Sequence, residues 1–155
     1  MCRILLFSHS ITRWFVLLIL VYAIYRAYKG CQSFAKYTKA DDRIRHWTAT
    51  IAHVQLMIGI LLYTQSPITG YFWKNFNLAD THMELTFYSL IHLVFMAIAI
   101  IIITIGSAWA KRKMDDRTKF KTMLLWYTIG LLIILLSIPW PFSPWAARPY
   151  LRSII

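Results

Sequence analysis

Acidic residues are nearly missing from this chain: six Asp and Glu stand against 17 Lys and Arg, and charged residues of both signs make up only 15% of 155 positions. A hydrophobic share of 59% exceeds what a water-soluble domain of this length needs to fill one core, so lipid is the expected solvent. The apolar runs hold no carboxylate, which argues against a proton-linked transporter and leaves zinc without an acidic ligand. They also lack the dyad alternation of a membrane β-barrel. Cysteine is equally sparse. Cys2 and Cys31 form no Cys-x-x-Cys or metal-ligand spacing, and their expected places near opposite membrane surfaces exclude a disulfide within the chain. Gly-x-Ser-x-Gly, His-Glu-x-x-His, P-loop and Gly-x-Gly-x-x-Gly signatures are all absent.

What remains is four long apolar stretches, predicted as helices over 4–28, 47–65, 84–109 and 121–138. Each approaches the ~20 residues that cross a ~30 Å hydrocarbon layer, and a helix satisfies its own backbone as lipid demands. The expected fold is an all-α membrane protein: one transmembrane domain over 1–155, built as a four-transmembrane-helix up-down bundle. The first stretch is not expected to be a cleaved signal peptide, because His9 and Arg13 interrupt it and no small-residue cleavage site follows.

Twelve of the 17 basic residues fall in two segments, 26–45 and 111–121, whereas the intervening loop has Lys74 against Asp80 and Glu84. The positive-inside rule then assigns 29–46 and 110–120 to the cytoplasm, and the loop 66–83 and the tail 139–155 to the outside, with both termini out. The net charge of +11 reads as topology and attraction to anionic headgroups, not as a nucleic-acid surface. Gly30 suits a helix C-cap, with Phe34 and Tyr37 at the interface beyond it. Asp41 and Asp42 suit a helix start, and Ser66-Pro67 a helix stop. Tyr71, Phe72, Trp73 and Phe76 read as an aromatic belt, and the Pro- and Trp-rich 137–145 as a lid or anchor on the outer surface. Ala40-Asp41-Asp42-Arg43 is echoed by Met114-Asp115-Asp116-Arg117, either as a repeated helical hairpin or because capping requires the same residues twice.

Ionisable groups inside a span are costly, so they are the functional candidates: His9, Arg13, His53 and His92, with Gln55 as a neutral companion. His46 and His82 fall at helix mouths, where water reaches them, and His82 with Glu84 offers at most a surface ion site. At 1.5 Å per residue, His9 is about 8 Å, Arg13 about 14 Å, His92 about 12 Å and His53 about 17 Å from the outer boundary, so the three histidines can converge. His9 and Arg13 share a helix face at i, i+4. An imidazole and an arginine so placed suit a haem iron and a haem propionate. Of the three histidine pairs, His9 with His92 is preferred because His9 brings Arg13, and His53 is the alternative axial ligand. The third histidine is left for a propionate, a quinone pocket or proton relay. Against this stands a simpler role for each, hydrogen bonding across a helix interface. Gly59, Gly106 and Gly130 read as close-packing points.

The segments Ser8-His9-Ser10 with Arg13-Trp14, His53-Val54-Gln55-Leu56 with Gly59 and Leu62-Tyr63, His92 with Met96, and Ile138-Pro139-Trp140-Pro141-Phe142 together resemble a family of short bacterial four-helix membrane proteins labelled cytochrome b. The resemblance covers nearly the whole chain. It implies a b-type haem held by transmembrane histidines, mapped to His9, His53 and His92, in a bacterial inner (cytoplasmic) membrane. The sequence departs from the family pattern at Ile91, where a glutamate often precedes the histidine. The expected function is a membrane-embedded haem b protein in electron transfer, a small subunit or accessory of a larger redox complex. The alternative is a non-redox structural or assembly subunit. Expected partners are the lipid bilayer and other membrane subunits, with quinone possible and nucleic acid not expected.

Overall fold

The computed structural model describes residues 2–76 and 83–142. The helices run in the order α1 (Cys2–Gln32), α2 (Lys39–Gln65), α3 (Pro67–Lys74), α4 (Met83–Thr86), α5 (His92–Arg112) and α6 (Asp116–Ser137), with a π-helical turn (Phe87–Ile91) joining α4 to α5. Four of these stretches, Arg3–Gln32, Lys39–Gln65, Met83–Arg112 and Asp116–Ser137, are long and apolar enough to cross a membrane. Among the described residues there is no strand, and the chain is an all-helical, multi-pass membrane protein. The side chain of Cys2, residues Asp80 and His82, and the tail beyond Phe142 that includes Trp145 lie outside the described residues.

Each of the four long helices extends past its expected cytoplasmic-side boundary by three to eight residues, and the caps give the reasons. α2 starts at Lys39, not 47, because Thr38 and Asp41 form a capping box: the Thr38 hydroxyl accepts from the Asp41 N–H, and the Asp41 carboxylate accepts from the Thr38 N–H at 3.0 Å. α1 continues to Gln32, through Gly30. The residue that ends it is Phe34, held in the left-handed region at φ 50°, while the Ala35 N–H reaches back to the Gly30 carbonyl in a Schellman-type closure. Gly30 serves packing instead of capping, since a Cβ there would lie 2.5 Å from the Phe120 ring of α6. α6 starts at Asp116 because Asp115 caps it, accepting from the Thr118 N–H at 2.8 Å. Asp41 is thus the third residue of its helix and Asp115 a cap. The echoed tetrapeptides therefore share capping chemistry without sharing register.

α1 packs on α2 and α6, and α5 packs on α2 and α6. Pairs along these seams include Arg26 with Asp41, Arg45 with Ser107, Trp109 with Trp126, and Trp14 with Trp140. The half of the molecule bearing the basic segments is filled solidly. Leu20, Ala23, Ala27, Ile103, Ala110, Phe120, Met123 and Tyr127 are fully buried there. Small residues let the backbones approach: a Cβ on Gly130 would lie 2.6 Å from Ile103, and one on Gly106 would collide with Trp126.

Arg45 closes this end. Its guanidinium pairs with Asp42 at 2.8 Å and donates to the Ser107 hydroxyl at 2.7 Å, while the Tyr127 hydroxyl donates to the Arg45 carbonyl at 2.9 Å. The Tyr37 phenol, in the connecting segment, is pushed well above its ordinary pKa by burial, against the opposing pull of Arg45. With this end packed shut, a cavity lies in the other half, among the residues that lipid would not tolerate.

Candidate functional site

A cavity of about 320 Å³ opens between α1, α2, α5 and α6, at the lower end of the range for small-molecule sites. Its walls are largely apolar, from Leu6, Val16, Leu56, Met96, Ile100 and Ile134. Into this lining project His9 and Arg13 from α1, Gln55 and Tyr63 from α2, Tyr88 from the π turn, and His92 from the start of α5. α3 lies over the same volume with Pro67, Ile68 and Thr69, and is pinned there by the Thr69 hydroxyl donating to the Tyr63 carbonyl at 2.7 Å. The segment after α6 contributes Ile138 and Pro139, and Trp140 behind them meets Trp14 edge-on at 6.3 Å.

His9 and His92 are brought together, with ring centres 6.5 Å apart and planes at 72°. Their hydrogen bonds fix their tautomers. His92 Nδ1 lies 2.8 Å from the Ser137 carbonyl, which can only accept, so the proton is on Nδ1 and Nε2 carries a lone pair. For His9 the reasoning runs through Gln55. The Gln55 amide nitrogen donates to the His9 carbonyl at 3.0 Å, which sets the amide orientation, because its oxygen in that place would face another oxygen. The same nitrogen is 3.3 Å from His9 Nε2, which must therefore accept. The Gln55 oxygen in turn takes the Thr12 hydroxyl. His9 consequently also carries its proton on Nδ1, and that buried nitrogen has no hydrogen-bond partner among the described residues. Gly59 makes room for this ring: a Cβ there would press on His9 Cε1 at 3.3 Å.

Arg13, half-buried, lines the cavity one turn from His9, with its guanidinium carbon 5.7 Å from the centre of the Trp14 ring. His53, by contrast, is not among the lining residues. It sits exposed on α2, its Nδ1–H donating to the Ala49 carbonyl at 2.7 Å and its Nε2 lying 3.2 Å from the Thr104 hydroxyl of α5. The structure thus gathers His9, Arg13, His92 and Gln55, and leaves His53 on another face. Sequence reasoning missed Thr12, Tyr63, Tyr88 and the Ser137 carbonyl. Thr12, three residues from His9 on one helix face, was available to periodicity; a backbone carbonyl on another helix leaves no sequence signal.

Two imidazoles bound to opposite sides of one metal, at bonds of about 2 Å, have ring centres roughly 6 Å apart, close to the spacing observed here. Among the described residues no three His, Cys, Asp or Glu side chains cluster; a haem iron would be held by two protein side chains. The fit has one cost: Gln55 engages the His9 lone pair and must yield it.

Fold and site together define a class, a multi-pass helical membrane protein with a histidine-lined cavity among its spans. Comparison with protein-family models, curated proteins and solved structures gives no match. The site's own chemistry carries the functional argument.

Proposed function

We propose that the chain is a b-type haem protein of the bacterial inner membrane, passing electrons as a small subunit or accessory of a larger redox complex, in which His9 and His92 would hold the iron. One observation carries the proposal: two imidazoles with ring centres 6.5 Å apart on a shared cavity, both Nδ1–H tautomers with the lone pair on Nε2, that of His9 engaged by the Gln55 amide. Haem bound there supplies one-electron chemistry. The chain's own residues do the rest. The Ser137 carbonyl orients His92 and keeps its proton on Nδ1. Arg13 offers a charge-assisted donor for a propionate, and the apolar lining excludes water and lowers the local dielectric. His53, with both nitrogens engaged on the outside of the cavity, is given an interhelical role between α2 and α5.

The topology is proposed as an up-down bundle with both termini outside. The seams support it, since low-numbered residues of one helix meet high-numbered residues of the next: Thr12 with Gln55, Tyr63 with Ser89, Trp109 with Trp126, and Trp14 with Trp140. The positive-inside rule supplies the orientation, because both short basic connections fall at one end.

A second reading, a non-redox structural or assembly subunit, is favoured by the polar clamps that join the helices. Thr12, Gln55 and His9 join α1 to α2, and His92 with Ser137 joins α5 to α6, without any ligand. Purified protein from haem-replete cells separates the two. A Soret band with α and β bands that sharpen on dithionite reduction supports haem, and a colourless preparation refutes it. Single alanine substitutions then identify ligands: His9→Ala and His92→Ala abolish or convert the spectrum, and His53→Ala keeps it. Loss of the spectrum only in His53→Ala overturns the assignment.

A further inference from the structure

The helix that carries His92 is not α-helical where it enters the site. Residues Phe87–Ile91 form a π turn, in which the His92 N–H bonds to the Phe87 carbonyl five residues back. Such a turn inserts one residue into the helix, so it displaces what precedes it by about 100° relative to an uninterrupted α-helix. Here the displacement has a definite product. It packs the buried Phe87 ring against His92, with centres 5.8 Å apart, and brings Tyr88 to the cavity wall. A break in the i→i−4 ladder is held open by groups from outside the helix. One such group is present: the Tyr63 hydroxyl of α2 donates to the Ser89 carbonyl inside the turn at 3.0 Å, and itself accepts from the Trp73 indole N–H of α3 at 2.7 Å.

We propose that Tyr63 is a positioning residue for His92, its hydroxyl holding the π turn that sets the environment of the imidazole. The donor and acceptor roles make the mechanism specific. Tyr63 has one proton to donate, and it goes to a backbone carbonyl that no side-chain substitution at Ser89 removes. Trp73 only donates to the phenol oxygen, so α3 is secured by the arrangement without being required for it. The Ser89 hydroxyl is buried and has no hydrogen-bond partner among the described residues, so it contributes nothing to the clamp. The functional consequence rests on reading His92 as an axial ligand. The positioning itself does not, which allows the two to fail separately.

The test uses full-length protein in lipid nanodiscs without added haem, with ¹⁵N-labelled histidine and the His92 signals identified from the loss they suffer in His92→Asn. Tyr63→Phe is expected to displace the His92 Nδ1 and Nε2 resonances, whereas Ser89→Ala and Trp73→Phe leave them in place. 3-Fluorotyrosine at position 63 keeps the shape and strengthens the donor while the phenol stays protonated at neutral pH. It covers the case of an unstable Phe variant and is expected to move the same signals in the opposite direction. Unmoved resonances in both position-63 variants overturn the proposal, as does an equal displacement in all the variants, which would indicate general loosening. In haem-loaded protein Tyr63→Phe is also expected to shift the reduced α band; absence of any haem spectrum in the parent protein refutes the ligand reading and leaves the positioning result standing.

Discussion

Gln55 separates the two functional readings most cleanly, because it is a clamp in one and a competitor in the other. Replacing it by Leu removes three contacts: the hydroxyl of Thr12 on its oxygen, and its nitrogen on the His9 carbonyl at 3.0 Å and on His9 Nε2 at 3.3 Å. Polar contacts between membrane helices average about 0.6 kcal/mol each, so the loss in stability is about 2 kcal/mol at most, reduced by the apolar contacts that Leu gains in a cavity wall already rich in aliphatic side chains. For haem the sign reverses. The amide no longer engages the His9 lone pair, and a bond worth about 0.6 to 1.4 kcal/mol need not be broken on binding. Affinity should then rise roughly threefold to tenfold, 1.4 kcal/mol being a factor of ten. The assay is titration of the apo-protein with haemin in nanodiscs, read at the Soret band, beside thermal unfolding of the same preparations. Gln55→Leu that binds haem more weakly than the parent while keeping its melting temperature would refute the reasoning that His9 ligates through the nitrogen Gln55 now engages.

Two further outcomes test the fold. Gly30→Ala forces a methyl group to within 2.5 Å of the buried Phe120 ring, so a destabilisation of about 1 to 3 kcal/mol is expected from overpacking, and Gly30→Ala with Phe120→Leu should recover part of it in a thermal melt. Met114 is 95% exposed in the connection between α5 and α6. In a background with both native cysteines changed to serine, Met114→Cys in intact cells should react with a membrane-permeant maleimide and resist an impermeant one; labelling by the impermeant reagent reverses the proposed orientation.

Much of the site could be read before any contact was known. His9 and Arg13 were found because their spacing puts them on one face, and His92 because an ionisable group in an apolar run has few reasons to be there. Depth alone did not separate His53 from His92. Helical phase does: Gln55, Gly59 and Tyr63 recur every four residues and line the cavity, while His53 is two residues from Gln55, about 200° around the same helix. Gly30 reads as a stop and charged residues read as a loop, so sequence alone places the ends of α1 and α2 short of where they fall. In the structure Phe34 takes the left-handed turn, and Thr38 with Asp41 starts the next helix inside the basic segment.

Sequence by itself determined that the chain has four helices able to span a membrane, roughly where they lie, and which few ionisable groups fall within them. Lipid makes these local matters: every backbone group has to be satisfied within its own helix, and every charge within a span needs a reason. Tertiary structure alone decided which of those groups meet. Packing sets the rotation of each helix, so it chose His9 and His92 to share the cavity, turned His53 away, gave Gln55 to His9, and provided the carbonyl of Ser137 and the hydroxyl of Tyr63 from helices far away in the chain.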